Sequence, residues 1–134
     1  MRSNNGNLNG QLSRIISELG HTDLLAVTDA GLPIPSDVER VDLALRKGMP
    51  SFLDVLDTVL AEVKIEAAVV PAEIVQHSPE MLEEITRRLA VVGVEATLLP
   101  HVDFKTRTRS ARAAVRSGEF TPYANVLLQA GVVF

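Results

Sequence analysis

A layered α/β/α fold with a mostly parallel, mixed central sheet is what this sequence predicts. Short apolar runs at 24–27, 65–70, 94–99 and 126–134 alternate with stretches whose apolar residues recur at helical spacing. Pro, Gly, Ser and Asn punctuate the boundaries between them. No internal repeat, linker or low-complexity tract interrupts the pattern, so residues 1–134 read as one domain, long enough to bury a core.

Each element has its own local reason. Leu12, Ile15, Ile16 and Leu19 mark one face of a first helix, with Asn9 as N-cap and Gly20 as stop. Leu24 to Val27 reads as a short strand buried on both faces. Pro33 and Pro35 force a loop over 31–37. The alternation of Val41, Leu43 and Leu45 predicts a second strand ending near Gly48, the one candidate for antiparallel pairing. Ser51 opens the clearest helix, with Asp54 at the capping-box position and Phe52, Val55, Leu56, Val59, Leu60 and Val63 inward.

Ile65 to Val70 follows as a strand, and Ser78-Pro79-Glu80 starts another helix that faces Leu82, Ile85 and Leu89 inward and stops at Gly93. Val94 to Leu99 is a further strand. Phe104, Thr108, Ala111 and Val115 trace a weaker helical face, preceded by an Asp103 cap and ended by Gly118. Val126 to Phe134 closes the chain as an apolar strand. Its last residues, Val132-Val133-Phe134, are too apolar to dangle and belong in the sheet or in a subunit contact.

Composition removes several function classes. The chain has no Cys, so disulfides, thiolate catalysis and Cys-ligated zinc are out, and a reducing cytoplasm fits. Aromatic residues are 4% with no Trp, which leaves no stacking platform for bases. A net charge of −4 argues against nucleic acid. The polar, Asn/Gly-rich start has no apolar core of a signal peptide, and no run approaches the length of a membrane span.

Chemistry concentrates at strand ends. Gly20-His21-Thr22-Asp23 precedes the strand 24–27, and Thr28-Asp29-Ala30-Gly31 follows it. His21 is either a polar turn residue or an acid–base group whose imidazole Asp23 orients. Asp29 either caps the loop backbone or holds a ligand at the strand terminus, and the two roles are compatible. His101 follows Pro100 at another strand end; His77 reads as a solvated residue before Ser78. His21, Asp23, Asp29 and His101 are ligand types that suit zinc or manganese, but no metal-ligand spacing supports them, and the metal-free reading is preferred. Lys105, Arg107, Arg109, Arg112 and Arg116 place five positive charges over 104–116, read as the solvated face of a helix. Tyr123 and Asn125 join hydroxyl and amide groups suited to sugar hydroxyls, or form a plain polar turn.

Together these segments resemble the D-ribose pyranase family, the ribose-operon proteins allied to fucose mutarotases. The resemblance runs from about Leu8 to Phe134 and rests on motifs in order: Leu19-Gly20-His21-Thr22-Asp23, Asp29-Ala30-Gly31-Leu32-Pro33-Ile34-Pro35 and Gly48-Met49-Pro50-Ser51-Phe52. It continues through Glu73-Ile74, His77, Pro79, Arg116-Ser117-Gly118-Glu119, Pro122-Tyr123-Ala124-Asn125 and Ala130-Gly131-Val132. The resemblance implies an isomerase interconverting β-D-ribopyranose and β-D-ribofuranose without a cofactor. It implies His21 as proton donor and Asp29, His101, Tyr123, Ala124 and Asn125 as sugar contacts. It also implies closed rings of subunits, pentamers stacked as a homodecamer, with sites at subunit boundaries.

Two departures stand out: the Asn-rich Met1 to Asn7, and Gln129 where some members carry a small apolar residue. Thr22 and Gly31-Leu32-Pro33 look like the ribose branch. The rival readings are mutarotation of another monosaccharide such as fucose, a non-catalytic sugar-binding accessory of transport, and a metal-dependent hydrolase.

Overall fold

The computed structural model describes all residues, Met1–Phe134. The elements run α1 (Gly10–Glu18), β1 (Leu24–Thr28), β2 (Glu39–Asp42), α2 (Phe52–Leu60), β3 (Ile65–Pro71), α3 (Ile74–His77), α4 (Pro79–Val91), β4 (Ala96–Leu99), α5 (His101–Thr108), β5 (Ala113–Arg116) and β6 (Val126–Ala130). One six-stranded sheet has the order β2-β5-β1-β6-β3-β4. Helices cover both faces: α1, α2 and α4 bury Leu12, Ile15, Phe52, Leu56, Ile85 and Leu89 on one side. On the other, α5 and the loop 31–38 bury Phe104, Leu32 and Val38. The three-layer expectation holds.

The caps follow the expected chemistry. Leu12 N donates to Asn9 Oδ1 at 2.8 Å, and Asp54 N donates to Ser51 Oγ at 3.1 Å. No helix is long and apolar enough to cross a membrane.

Several expectations are corrected. Strand β2 pairs parallel to β5; the antiparallel strand is β6, against both β1 and β3. The reason is topological: residues 117–125 between β5 and β6 hold no helix, and a parallel return needs a long crossover. Strand β2 stops at Asp42, and Leu45 and Arg46 turn back to hydrogen-bond Met49 O.

The helix expected over 104–116 ends at Thr108, and 113–116 is the strand β5, buried between β1 and β2. A strand enclosed on both faces shows a continuous apolar run without alternation, so Ala113-Ala114-Val115 blends into a helical pattern. The five basic residues therefore share no helix: Lys105 and Arg107 lie on α5, Arg109 caps it, Arg112 lies in the connection and Arg116 ends β5. Nor does Asp103 cap α5, which starts at His101. Ser78-Pro79-Glu80 does start α4, with Ser78 at the N-cap position, but the Ser78 hydroxyl makes no capping bond and donates to Pro122 O at 2.7 Å. The last strand stops at Ala130, and Val133 and Phe134 are fully solvent-facing, so they lie outside the sheet.

Candidate functional site

Five strands run in one direction, so their C-terminal ends share one edge of the sheet, joined there by the start of antiparallel β6. Ligands of open α/β sheets collect at such an edge. Asp29 leaves β1 there, Glu73 follows β3, His101 follows β4, and Tyr123-Ala124-Asn125 lead into β6. Four of the side chains singled out from the sequence thus converge.

Asp29 is held from two sides. Its Oδ1 accepts from Gly31 N at 3.0 Å and Leu32 N at 2.8 Å, the turn-capping role. Its Oδ2 accepts from Asn125 Nδ2 at 3.1 Å, while Asp29 N donates to Asn125 Oδ1 at 2.9 Å. Asn125 is buried, so its amide is committed to this pair. Ala124 is wholly buried behind it. Tyr123 occupies a left-handed backbone conformation, φ 62°, which turns its ring against His101 (centroids 5.1 Å, edge-on) and His77 (5.2 Å, tilted). His77 is exposed, as expected of a solvated residue, and its ring also packs against Tyr123.

His101 N–H donates to both oxygens of Glu73, at 3.0 and 3.1 Å, and its ring stacks on Phe104. Its Nδ1 is buried without a hydrogen-bond partner. Burial and the nearby Lys105 lower the His101 pKa, against the opposing pull of Glu73 and Asp29, so a neutral imidazole faces the site.

Supporting residues were missed in the sequence. Arg116 Nε donates to Ala30 O at 3.0 Å while its Nη1 pairs with Asp42, bracing the loop after Asp29. Glu119 O accepts from Ala30 N at 2.9 Å, and its carboxylate accepts from Phe52 N and Thr121 Oγ1. Sequence showed Arg116 and Glu119 as a motif but not which loops they would fasten.

His21 lies elsewhere. It precedes β1, at the opposite edge of the sheet, beside the end of β6 and the start of β3. The strand and turns between it and Asp29 span about 20 Å at the usual rise per residue. Asp23 does not orient it: Asp23 Oδ2 accepts from Gly20 N. The partner is Glu66, whose oxygens lie 2.9 and 3.1 Å from His21 Nε2. The four residues weighed as a metal set are split between the two edges, His21 and Asp23 at one, Asp29 and His101 at the other.

The family model for the RbsD / FucU transport protein family matches residues 2–133. A D-ribose pyranase of Laribacter hongkongensis is 52% identical, the match covering 97% of this chain and 98% of that one. A D-ribose pyranase of Geobacillus kaustophilus is 46% identical, over 96% and 93%. Among solved structures, Bacillus subtilis RbsD complexed with D-ribose superposes with a TM-score of 0.93 at 40% identity, over 99% and 100% of the two chains. The fucose mutarotase of Streptococcus pneumoniae in complex with L-fucose shares the fold, at 23% identity and a TM-score of 0.82 over the whole of both chains. With nearly every residue covered by that family model, this chain belongs to the RbsD / FucU transport protein family.

Proposed function

We propose that this protein is a D-ribose pyranase, an isomerase that interconverts β-D-ribopyranose and β-D-ribofuranose. The observation that carries the reading is the set of sugar-sized polar groups at the C-terminal sheet edge: Asp29 clamped by Asn125, the unpartnered His101 Nδ1 and the Tyr123 hydroxyl. It stands in a chain whose near relatives are D-ribose pyranases and whose fold superposes on a ribose-bound one.

The reaction is a redox-neutral proton relocation. A base takes the proton of the anomeric hydroxyl as the C1–ring-oxygen bond breaks, and an acid protonates the departing ring oxygen. The open aldehyde recloses when another hydroxyl adds to C1 and returns its proton to O1. We assign the proton transfers to His21, since an imidazole does either task near neutrality. Asp29, His101, Tyr123 and the backbone at Ala124 hold the hydroxyls, with Asn125 fixing the orientation through its bonds to Asp29. No step calls for a cofactor.

His21 and Asp29 stand too far apart in one chain to touch one pentose, so the working site takes His21 from a second copy. A homo-oligomer supplies it, and stacked pentameric rings, a homodecamer, are the assembly we propose. The apolar tail Val133-Phe134, exposed in the single chain, is suited to that contact. The cysteine-free composition suits the cytoplasm as the working compartment.

Saturation-transfer NMR on free D-ribose tests this directly. The wild-type protein is expected to speed pyranose–furanose exchange, and His21→Ala to reduce that acceleration by about 10²-fold or more while ribose still binds. Saturable ribose binding without faster exchange would convert the enzyme into a binding accessory. Running L-fucose in the same assay separates ribose from fucose specificity.

A further inference from the structure

Glu66 lies where a regular strand would not put it. The β3–β6 register shifts between Ile65 and Ala67, leaving Glu66 as the extra residue of a bulge. Bulges re-aim a side chain next to functional groups. Here the displaced carboxylate reaches His21 Nε2 with both oxygens, at 2.9 and 3.1 Å.

Two neighbours keep it there. Gln129 Nε2 donates to Glu66 Oε1 at 2.7 Å from the adjacent strand β6. Gly131 leaves space: a Cβ on it would stand 3.2 Å from Glu66 Cβ and 3.5 Å from Oε2. Hydrogen bonds from Gln129 and from His21 also hold the Glu66 carboxyl below the ordinary carboxylate range, so it is an acceptor at neutral pH.

An ionised carboxylate can only accept, so the nitrogen facing it must carry the hydrogen. His21 Nε2 is therefore N–H, and in the neutral ring Nδ1 is the bare nitrogen. We propose that Glu66, steadied by Gln129 and given room by Gly131, is the positioning residue of His21, fixing the tautomer in which Nδ1 meets the sugar. The inference rests on His21 being the acid–base group of the pyranase reaction. Glu66 itself touches no sugar. Its part is to hold the ring plane and the Nε2 hydrogen so that Nδ1 exchanges the proton with the anomeric or ring oxygen. Asp23, the other acidic group near the ring, is engaged by Gly20 N and does not compete.

The test combines exchange kinetics with nitrogen NMR on the intact assembly. In the wild type, ¹⁵N spectra of neutral His21 are expected to show hydrogen on Nε2 and none on Nδ1. Glu66→Ala is expected to leave a mixture of tautomers, to lower kcat for ribose exchange about tenfold, and to leave KM within about twofold. Added formate, replacing the missing carboxylate, should recover part of that kcat. Gln129→Leu and Gly131→Ala keep the carboxylate but loosen or displace it, and should give smaller losses in kcat with KM unchanged; they carry the test should Glu66→Ala fail to fold. Hydrogen on Nδ1 in the wild type, or full kcat in Glu66→Ala beside an inactive His21→Ala, would overturn the inference alone. Full activity in His21→Ala would instead remove the reading beneath it.

Discussion

Asp29 and Asn125 hold each other through two reciprocal hydrogen bonds: Asp29 N to Asn125 Oδ1 at 2.9 Å, and Asn125 Nδ2 to Asp29 Oδ2 at 3.1 Å. One amide thus satisfies a strand-end N–H and orients a carboxylate whose other oxygen caps the following turn. The pair joins β1 to β6 at the end of the sheet where Asp29, His101 and Tyr123 meet. It explains why a buried polar residue stands where the apolar strand begins.

Asn125→Ala is expected to destabilise the protein by about 2 kcal/mol, because the half-buried Asp29 N–H loses its acceptor. Ribose affinity should fall with it as the Asp29 carboxylate loses its orientation. Asn125→Asp sets a second carboxylate against Asp29, so its stability loss should be larger at pH 8 than at pH 5, where protonation relieves the repulsion. Urea denaturation at the two pH values reads the stability, and calorimetric titration with ribose reads the affinity. An Asn125→Asp loss independent of pH would show that Asp29 does not face this side chain.

His101 gives a pH prediction whose sign follows from its surroundings. Burial, then Lys105, lowers its folded-state pKa. The unfolded chain, with an imidazole near the ordinary value of about 6.5, takes up a proton at a higher pH than the folded chain does. The contribution of His101 to stability is therefore whole above about pH 6.5 and is lost as the pH falls toward the lowered folded value. A ¹H NMR titration of its Cε1 proton should give a midpoint below the ordinary imidazole value. Glu73→Gln removes one of the two groups that favour the charged ring, and should move the midpoint lower still. A midpoint at or above the ordinary value would mean that the ring is not buried against Phe104 and Tyr123.

Local chemistry was legible where a residue acts on its own neighbours. Asn9 and Ser51 cap their helices, Pro33 and Pro35 break the chain, and Asp29 turns the loop, all within a few positions. Interactions between distant segments were not. Glu66 meets His21 only because a bulge shifts it, Glu73 meets the His101 N–H across two strand ends, and Arg116 reaches Ala30 from the neighbouring strand. β5 reads as helix in the sequence for a related reason: Ala113 and Ala114 favour a helix locally, and enclosure between β1 and β2 overrides that preference. Adjacency in the sequence offers Asp23 as a partner for His21, but Asp23 accepts from Gly20 N and the sheet brings Glu66 to the ring instead.

Gly118 offers the last test, because it is where two loops touch backbone to backbone. A Cβ built on it would lie 2.5 Å from both Arg46 O and Met49 O, and neither carbonyl belongs to a flexible side chain that could swing away. The same crossing carries hydrogen bonds from Gly48 N to Gly118 O at 2.7 Å and from Gly118 N to Pro50 O at 2.8 Å. The next residue, Glu119, fastens Phe52 N through its carboxylate and Ala30 N through its carbonyl. Gly118→Ala must therefore push the 46–50 loop away and shift Glu119, and with it the backbone beside Asp29. A stability loss of about 2–3 kcal/mol is expected from the overpacking, with weaker ribose binding alongside. Gly10→Ala is the control: at the start of α1 an added methyl meets nothing within 4 Å, so denaturation should show an unchanged or slightly raised stability. Equal stability for the two variants in chemical denaturation would mean that the 46–50 loop does not press on Gly118, and that Glu119 is not held in place from that side.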